Sequence, residues 1–272
     1  MGMNSNGFNH NNIYRNNYVD FEKKSDGHNE ELSTPNAQIN ENTFVAISDT
    51  NFGSTLEQSH YLDCVFDYVE TYGIHDIVHC GNLLQSTFAP LSEQYNTAHR
   101  QVNHVLELFP EDIDTKVHIL LGANDFHALK RKPHVYKILE SRRSFNIMGY
   151  KKANIKWGEY IFSAFSYIQS VRSRCPDIKT DFNLCGTTHS LSIEGKDIFM
   201  PPLSMDVRNV HNENFYPGFI VVHKNDNEII FTYYAFIEGR YITKSEEVIK
   251  PDNNVRPTNL GEVLKLRPNI KK

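Results

Sequence analysis

Short apolar runs alternate with amphipathic stretches in the first half of the chain, and in the second half the runs crowd together. Phe44-Val-Ala-Ile-Ser48 is too short for a helix and ends in a polar turn, so it reads as a buried strand. Ser54-Thr-Leu-Glu57 has the Ser-x-x-Glu form of a capping box and predicts a helix start there. Leu62, Val65, Phe66 and Val69 then follow helical spacing, and Gly73 supplies the stop. The run Asp76 to Cys80 ends in Gly81-Asn82, so strand, helix and strand form a βαβ unit with a parallel pair. A second helix is predicted from about Ser92 to Phe109, closed by Pro110. Lys116 to Leu121 is the third strand and breaks at Gly122-Ala-Asn-Asp125. A helix from Pro133 to Arg142 leads to a strand near Phe145 to Met148.

Beyond that point the texture is strand-rich. Runs at Asn154–Trp157, Tyr160–Phe165, Asp181–Cys185, Ser190–Ile193, Asp197–Met200, Gly218–His223 and Glu228–Phe236 read as strands, the last two joined by Lys224-Asn-Asp-Asn227. A helix-interleaved half followed by a strand-rich half predicts an α/β fold: two mixed β-sheets packed face to face and flanked by helices.

Composition trims this picture at both ends. Residues 1–40 hold ten Asn and few aliphatic residues, too little apolar surface to offset ordering entropy, so a disordered tail is expected. The alternative for that segment is a docking arm built on Phe8, Ile13, Tyr14 and Tyr18. Residues 41–248 would be the single domain, and 249–272 an irregular basic tail. A net charge of −5 gives no global attraction to a polyanion; the basic tail is expected to be a solvated end, with nucleic-acid contact as its alternative. No apolar run approaches ~18 residues, so no membrane span is expected. The N-terminus lacks the apolar core of a signal peptide, and Cys64, Cys80, Cys175 and Cys185 form no CxxC pair. A cytoplasmic protein with free thiols is the expectation.

The candidate chemistry lies at the strand ends. The order Asp49-Thr-Asn51, Gly81-Asn82, Gly122-Ala123-Asn124-Asp125 and Cys185-Gly-Thr187-Thr-His189 resembles the motif order of the calcineurin-like metallophosphoesterases. The resemblance covers about 150 residues, from Phe44 to His189. It implies the four-layer sandwich of that family and a two-metal centre for phosphoester hydrolysis. The family pattern is Asp-x-His, Gly-Asp, Gly-Asn-His-Asp/Glu, a later histidine, and Gly-His-x-His. Here Asn51 stands at a histidine position, Asn82 at the bridging aspartate, Ala123 at the asparagine ligand, Asn124 at the catalytic histidine, and Thr187 at another histidine. The later histidine would fall at Ala164 or Ser166, and no His occurs between His134 and His189. Asp49 and His189 alone match ligands.

Two divalent cations held close together repel, and anionic ligands must offset that repulsion. Carboxamides are neutral and weak donors to transition metals, and Ala and Thr offer little. The pattern therefore implies a pseudoenzyme with no resident cofactor, whose Asp49 accepts hydrogen bonds from the Gly81-Asn82 and Gly186 turns. The alternative is a residual phosphoesterase with a weakly held divalent metal (Mn, Zn, Ni or Fe) on Asp49 and His189. His127 as a substitute base, a zinc site of His79, Cys80, Cys185 and His189, and phosphate binding by Arg142-Arg143 or Lys151-Lys152 are further alternatives. A retromer subunit of this architecture serves mainly as a protein-binding surface, so a protein partner is implied. A phosphorylated small ligand is the other partner class.

Overall fold

The computed structural model describes residues 35–86, 91–111, 114–166, 180–189, 191–204, 216–226, 228–237 and 240–249. Its first half is β1 (Ala37–Ile39), β2 (Thr43–Ile47), α1 (Ser59–Tyr72), β3 (Asp76–His79), α2 (Ala98–Leu108) and β4 (Lys116–Leu121). There follow α3 (Ala123–Leu129), α4 (Pro133–Glu140), β5 (Phe145–Tyr150), β6 (Lys152–Trp157), β7 (Tyr160–Phe165) and β8 (Phe182–Cys185). The chain continues with β9 (Ser192–Glu194), β10 (Asp197–Phe199), β11 (Gly218–Asn225), β12 (Glu228–Ile237) and β13 (Arg240–Ile249). One sheet has seven strands in the order β13-β12-β11-β2-β3-β4-β5, the other six in the order β1-β6-β7-β8-β10-β9. Both are mixed: in the larger sheet β2, β3, β4 and β5 run parallel, whereas β11, β12 and β13 meander antiparallel.

The two sheets face each other across an apolar interior. Phe44, Ala46, Val78, Leu120, Ile220 and Phe231 of the larger sheet meet Ile39, Ile155, Trp157, Phe162, Leu184 and Ile198 of the smaller. Alternation along β2 and β3 turns Val45, Ile47 and Ile77 to the other face, where α1 and α2 cover them with Leu62, Val65, Phe66, Val69, Val102 and Val105. The α/β architecture of two packed mixed sheets is thus as expected. Among the described residues it comprises three layers, with α1 to α4 on the seven-stranded sheet; a second helical layer is not among them.

Several expectations change in detail. Ala37–Ile39, within the segment assigned to the tail, is a strand paired in parallel with β6, and Ala37 and Ile39 are buried. Three residues show no period, and their burial is supplied by β6 rather than by local sequence. Residues 1–34 and 250–272, with Phe8, Ile13, Tyr14 and Tyr18, lie outside the described residues, as does Cys175. Ser54 to Glu57 is a turn, not the helix start: Leu56 N–H donates to Ser54 Oγ (3.0 Å) and Gly53 N–H to Glu57 Oε2 (2.7 Å), while α1 begins at Ser59. The capping chemistry is present but closes a loop, because Glu57 also pairs with His104 on α2. The helix expected from Ser92 is broken into a 3-10 turn at Glu93–Tyr95 and α2, whose first turn is capped by Thr97. The edge strand β13 had no expectation. Its charged, half-exposed sequence lacks clean alternation.

Candidate functional site

The loops that leave the C-terminal ends of β2, β3, β4 and β8 converge at one end of the sandwich, the place where α/β sheets ordinarily bind ligands. Parallel pairing of β2, β3 and β4 sets three of these loops side by side, and β8 brings the fourth from the opposite sheet. Gly186 lets that last loop seat: a Cβ there would lie 2.0 Å from the Cys80 carbonyl oxygen and 2.6 Å from Ser48 Oγ. Backbone bonds from Asp49 N–H to Gly81 O (3.0 Å) and from Asn51 N–H to Asn82 O (3.0 Å) stitch the first two loops together.

Asp49 is fully buried at the centre. Its Oδ1 accepts from Asn82 Nδ2 (2.8 Å), and its Oδ2 accepts from Ser48 Oγ (2.6 Å) and from the Thr187 backbone N–H (2.9 Å). Asn82 in turn accepts from Asn124 N–H through Oδ1 (3.2 Å). The Asn124 amide donates to Asn51 Oδ1 (3.1 Å) and to Gln85 Oε1 (3.0 Å). Asn51 Nδ2 donates to Ser204 Oγ (3.0 Å) and to the Asp49 carbonyl (3.2 Å). Asp49, Asn51, Asn82, Asn124 and Thr187 therefore form one connected amide and carboxylate network. Ala123 opens α3 beside it and adds no polar atom, and His189 sits half-buried two residues beyond Thr187 on the β8 loop. Sequence reasoning missed Ser48, Gln85 and Ser204. Ser48 and Gln85 adjoin motif residues, but Ser204 reaches the site only through the tertiary path of the chain.

Backbone strain gathers here as well. Among the described residues seven non-glycine residues have positive φ, and five of them are Asp49, Asn51, Asn82, Thr187 and His189, at 47° to 61°. Asn and Asp tolerate the left-handed region through local side-chain bonds, but a β-branched Thr does not. Thr187 is held there by its N–H on Asp49 and by its hydroxyl on the Ser166 carbonyl (2.9 Å).

A buried layer supports the network. Asp125, fully buried, accepts backbone N–H bonds from Leu83 (3.2 Å), Leu84 (2.7 Å) and Gly122 (2.7 Å). Desolvation pushes its carboxyl up to about 7, while those backbone donors pull the other way. His79 is fully buried, and burial lowers its imidazole to about 3. Its protonation follows from its neighbours. Thr50 Oγ1 donates to Leu83 O (3.0 Å) and so accepts from His79 Nε2 (3.0 Å), while Gly81 N–H donates to Nδ1 (3.3 Å). Both ring nitrogens are engaged in the neutral form.

The alternatives placed on other residues do not come together. Cys80 packs into the interior between the sheets, whereas His79, the last residue of β3 just before it, faces the opposite side. Cys185 packs with Phe165 and Phe199 on the outer face of the smaller sheet. His127 is exposed on α3. Arg142 bonds the Phe109 carbonyl (2.7 Å) and pairs with Glu111 (3.1 Å), and Lys151 and Lys152 lie over the Tyr150 and Phe165 rings. Among the described residues no three His, Cys, Asp or Glu side chains converge as a metal-ligand group.

The donor set does not fit a two-metal centre. The one central carboxylate already accepts three hydrogen bonds, and its neighbours present a hydroxyl and two N–H groups to it rather than further negative charge.

Solved structures with a similar chain path include vacuolar protein sorting 29 from Cryptosporidium parvum, 14% identical, with 77% of this chain and 98% of that one covered at a TM-score of 0.48. A predicted phosphoesterase from Streptococcus pneumoniae is 14% identical over 77% and 98%, with a TM-score of 0.44. Vps29 from Chaetomium thermophilum is 12% identical over 77% and 98%, also at 0.44. These are likenesses of chain path. No family model matches the chain, and no curated protein sequence matches it.

Proposed function

We propose that this protein is a non-catalytic relative of the calcineurin-like phosphoesterases, a binding or scaffold protein whose dimetal site has become a hydrogen-bonded plug. The observation that carries this reading is the saturation of Asp49. Ser48, Asn82 and Thr187 donate to its two oxygens, and Asn124 closes the network over Asn51 and Gln85. Neutral donors now stabilise the buried charge that cations would stabilise in an active centre. With no ligand set for a metal-bound hydroxide and no imidazole at Asn124 to protonate a leaving group, the cleft lacks the groups for hydrolysis. No helix among the described residues is long and apolar enough to cross a membrane. Buried Cys80 and Cys185, both unpaired as disulfides, suit the reducing cytoplasm, where we place the protein.

Metal analysis of protein purified without chelator tests the reading. Well under one Mn, Zn, Ni or Fe per chain is expected, and two bound transition metals per chain overturn it. Turnover of a chromogenic phosphodiester with manganese, abolished by Asp49→Ala, would establish the residual phosphoesterase instead. The half-buried rim of Asn124, Gln85 and Thr188 also suits a phosphorylated small ligand held without cleavage. A thermal-shift screen with nucleotides tests that occupant, since a nucleotide that binds the native state raises Tm and one that does not bind leaves it unchanged.

A further inference from the structure

We infer that the free edge of β13 is a self-association surface, on which a second copy of this chain pairs antiparallel, β13 to β13, about a two-fold axis. Among the described residues β13 is the end strand of the seven-stranded sheet, ten residues long and paired only with β12, so one row of its backbone groups is open to another strand. The three large apolar residues most exposed among the described residues all lie at this edge: Tyr72 at 64%, Ile242 at 45% and Val248 at 43%. Tyr72 packs on Tyr68 (4.4 Å between rings), which meets Tyr241 of β13 edge-on (5.7 Å). Scattered exposed apolar residues need no explanation, but convergence of all three on one unpaired edge does.

A bulge decides how two copies can meet. The β12–β13 ladder slips between Tyr233 and Tyr234, passing from Ser245 to Thr243 and leaving Lys244 extra. In consequence Tyr241 packs on the helix side of the sheet while Ile249, eight positions on, packs toward the interior between the sheets. Arg240 and Ile242 thus share a face with Glu247 and Ile249, and Tyr241 and Thr243 share the other with Glu246 and Val248. A two-fold axis between Lys244 and Ser245 satisfies this shift without conflict. It sets Tyr241 opposite the partner's Val248, Thr243 opposite the partner's Glu246, and Ile242 opposite the partner's Glu247, each pair on a common face.

Charge supplies the choice of occupant. Lone charges on an edge strand commonly block pairing, but here the signs are sorted by half, with Arg240 and Lys244 before the axis and Glu246 and Glu247 after it. Antiparallel self-pairing lays the basic half on the acidic half. The partner's Glu247 lies diagonal to Arg240 and to Lys244 on one face, where Lys244 already covers the Tyr216 ring at 4.7 Å. Symmetry repeats each contact twice.

Sedimentation of the full chain over a concentration series tests the assignment, with circular dichroism confirming that each variant is folded. A concentration-dependent dimer is expected. Lys244→Glu, which sets a like charge diagonal to the partner's Glu247 in each of the two symmetry-related contacts, weakens it about tenfold. The full charge swap Arg240→Glu/Lys244→Glu/Glu247→Lys restores the wild-type dissociation constant, which a merely local structural role of any of these residues would not produce. A full chain that stays monomeric at every concentration, its edge filled by its own terminus or by nothing, overturns the proposal. So does a charge swap that dimerises no better than Lys244→Glu alone.

Discussion

Asp125 and His79 hold the same loop, Gly81 to Leu84, with opposite electrostatic demands. Asp125 rises from its ordinary 3.8 to about 7, so the native state binds a proton that the unfolded chain has released. Its contribution is fully present below pH 3.8 and is lost as pH rises through 7. His79 falls from 6.5 to about 3, so the unfolded chain binds the extra proton, and its contribution is lost as pH drops below 6.5. The two slopes oppose each other between about pH 4 and 6.5, each near 1.4 kcal/mol per unit. Asp125→Asn removes one of them. Its stability should be lower by about 1–3 kcal/mol at low pH, since an amide N–H now faces backbone N–H groups. The gap to the wild type should then close as pH rises from about 4 and reverse in sign before pH 7 in urea titrations, and a pH-independent gap would contradict the buried proton. Asn82→Asp tests the plug itself. It removes the donor on Asp49 and sets two carboxylates side by side, which costs about 1–3 kcal/mol at pH 7. A higher Tm for this variant at pH 7 without added cation would rule out the donor role of Asn82.

At the scale of elements, two glycines that read alike in sequence have unlike reasons. Gly73 ends α1 at φ 62°, and nothing lies within 4 Å of where a methyl group would sit, so Gly73→Ala should cost only about 1 kcal/mol for the left-handed backbone. Gly186 has no room for a methyl group beside the Cys80 carbonyl, and Gly186→Ala should cost about 3 kcal/mol or more. Thermal denaturation of the two variants should separate them clearly, and equal losses would count against the close approach of the β8 loop to β3. Elements of this kind show what a sequence discloses. β2, β3 and β4 were legible because each is an apolar run closed by a turn signal, and β7 was legible to its end residues. β1 was not, since its two buried side chains depend on β6 for cover. The start of α1 was misplaced because Ser54 and Glu57 carry capping chemistry that a loop uses equally well. At the cleft, the resemblance in motif order named Asp49, Asn51, Asn82, Asn124 and Thr187, whereas Gln85 and Ser204 join their hydrogen-bond network only through loop paths that no local pattern encodes.

For the molecule as a whole, the cleft exists only while the two sheets stay closed on each other. Asp49 enters on β2 of the larger sheet and Thr187 on the loop after β8 of the smaller, so their 2.9 Å bond is a contact between layers. Phe44, on the same β2 strand that leads into Asp49, is the side chain that clamps those layers. It is fully buried and meets Trp157 edge-on at 5.3 Å and Phe162 at 5.5 Å, both from the opposite sheet. Phe44→Ala removes this aromatic contact and leaves a cavity that rigid strands on both sides cannot collapse to fill. A loss of about 3–5 kcal/mol is expected. The denaturant midpoint should fall while the slope of the unfolding transition stays unchanged, because the same surface is exposed when the whole sandwich opens. A reduced slope, or two separate transitions followed by different probes, would mean that the sheets unfold independently and that the plug, rather than the interior, joins them.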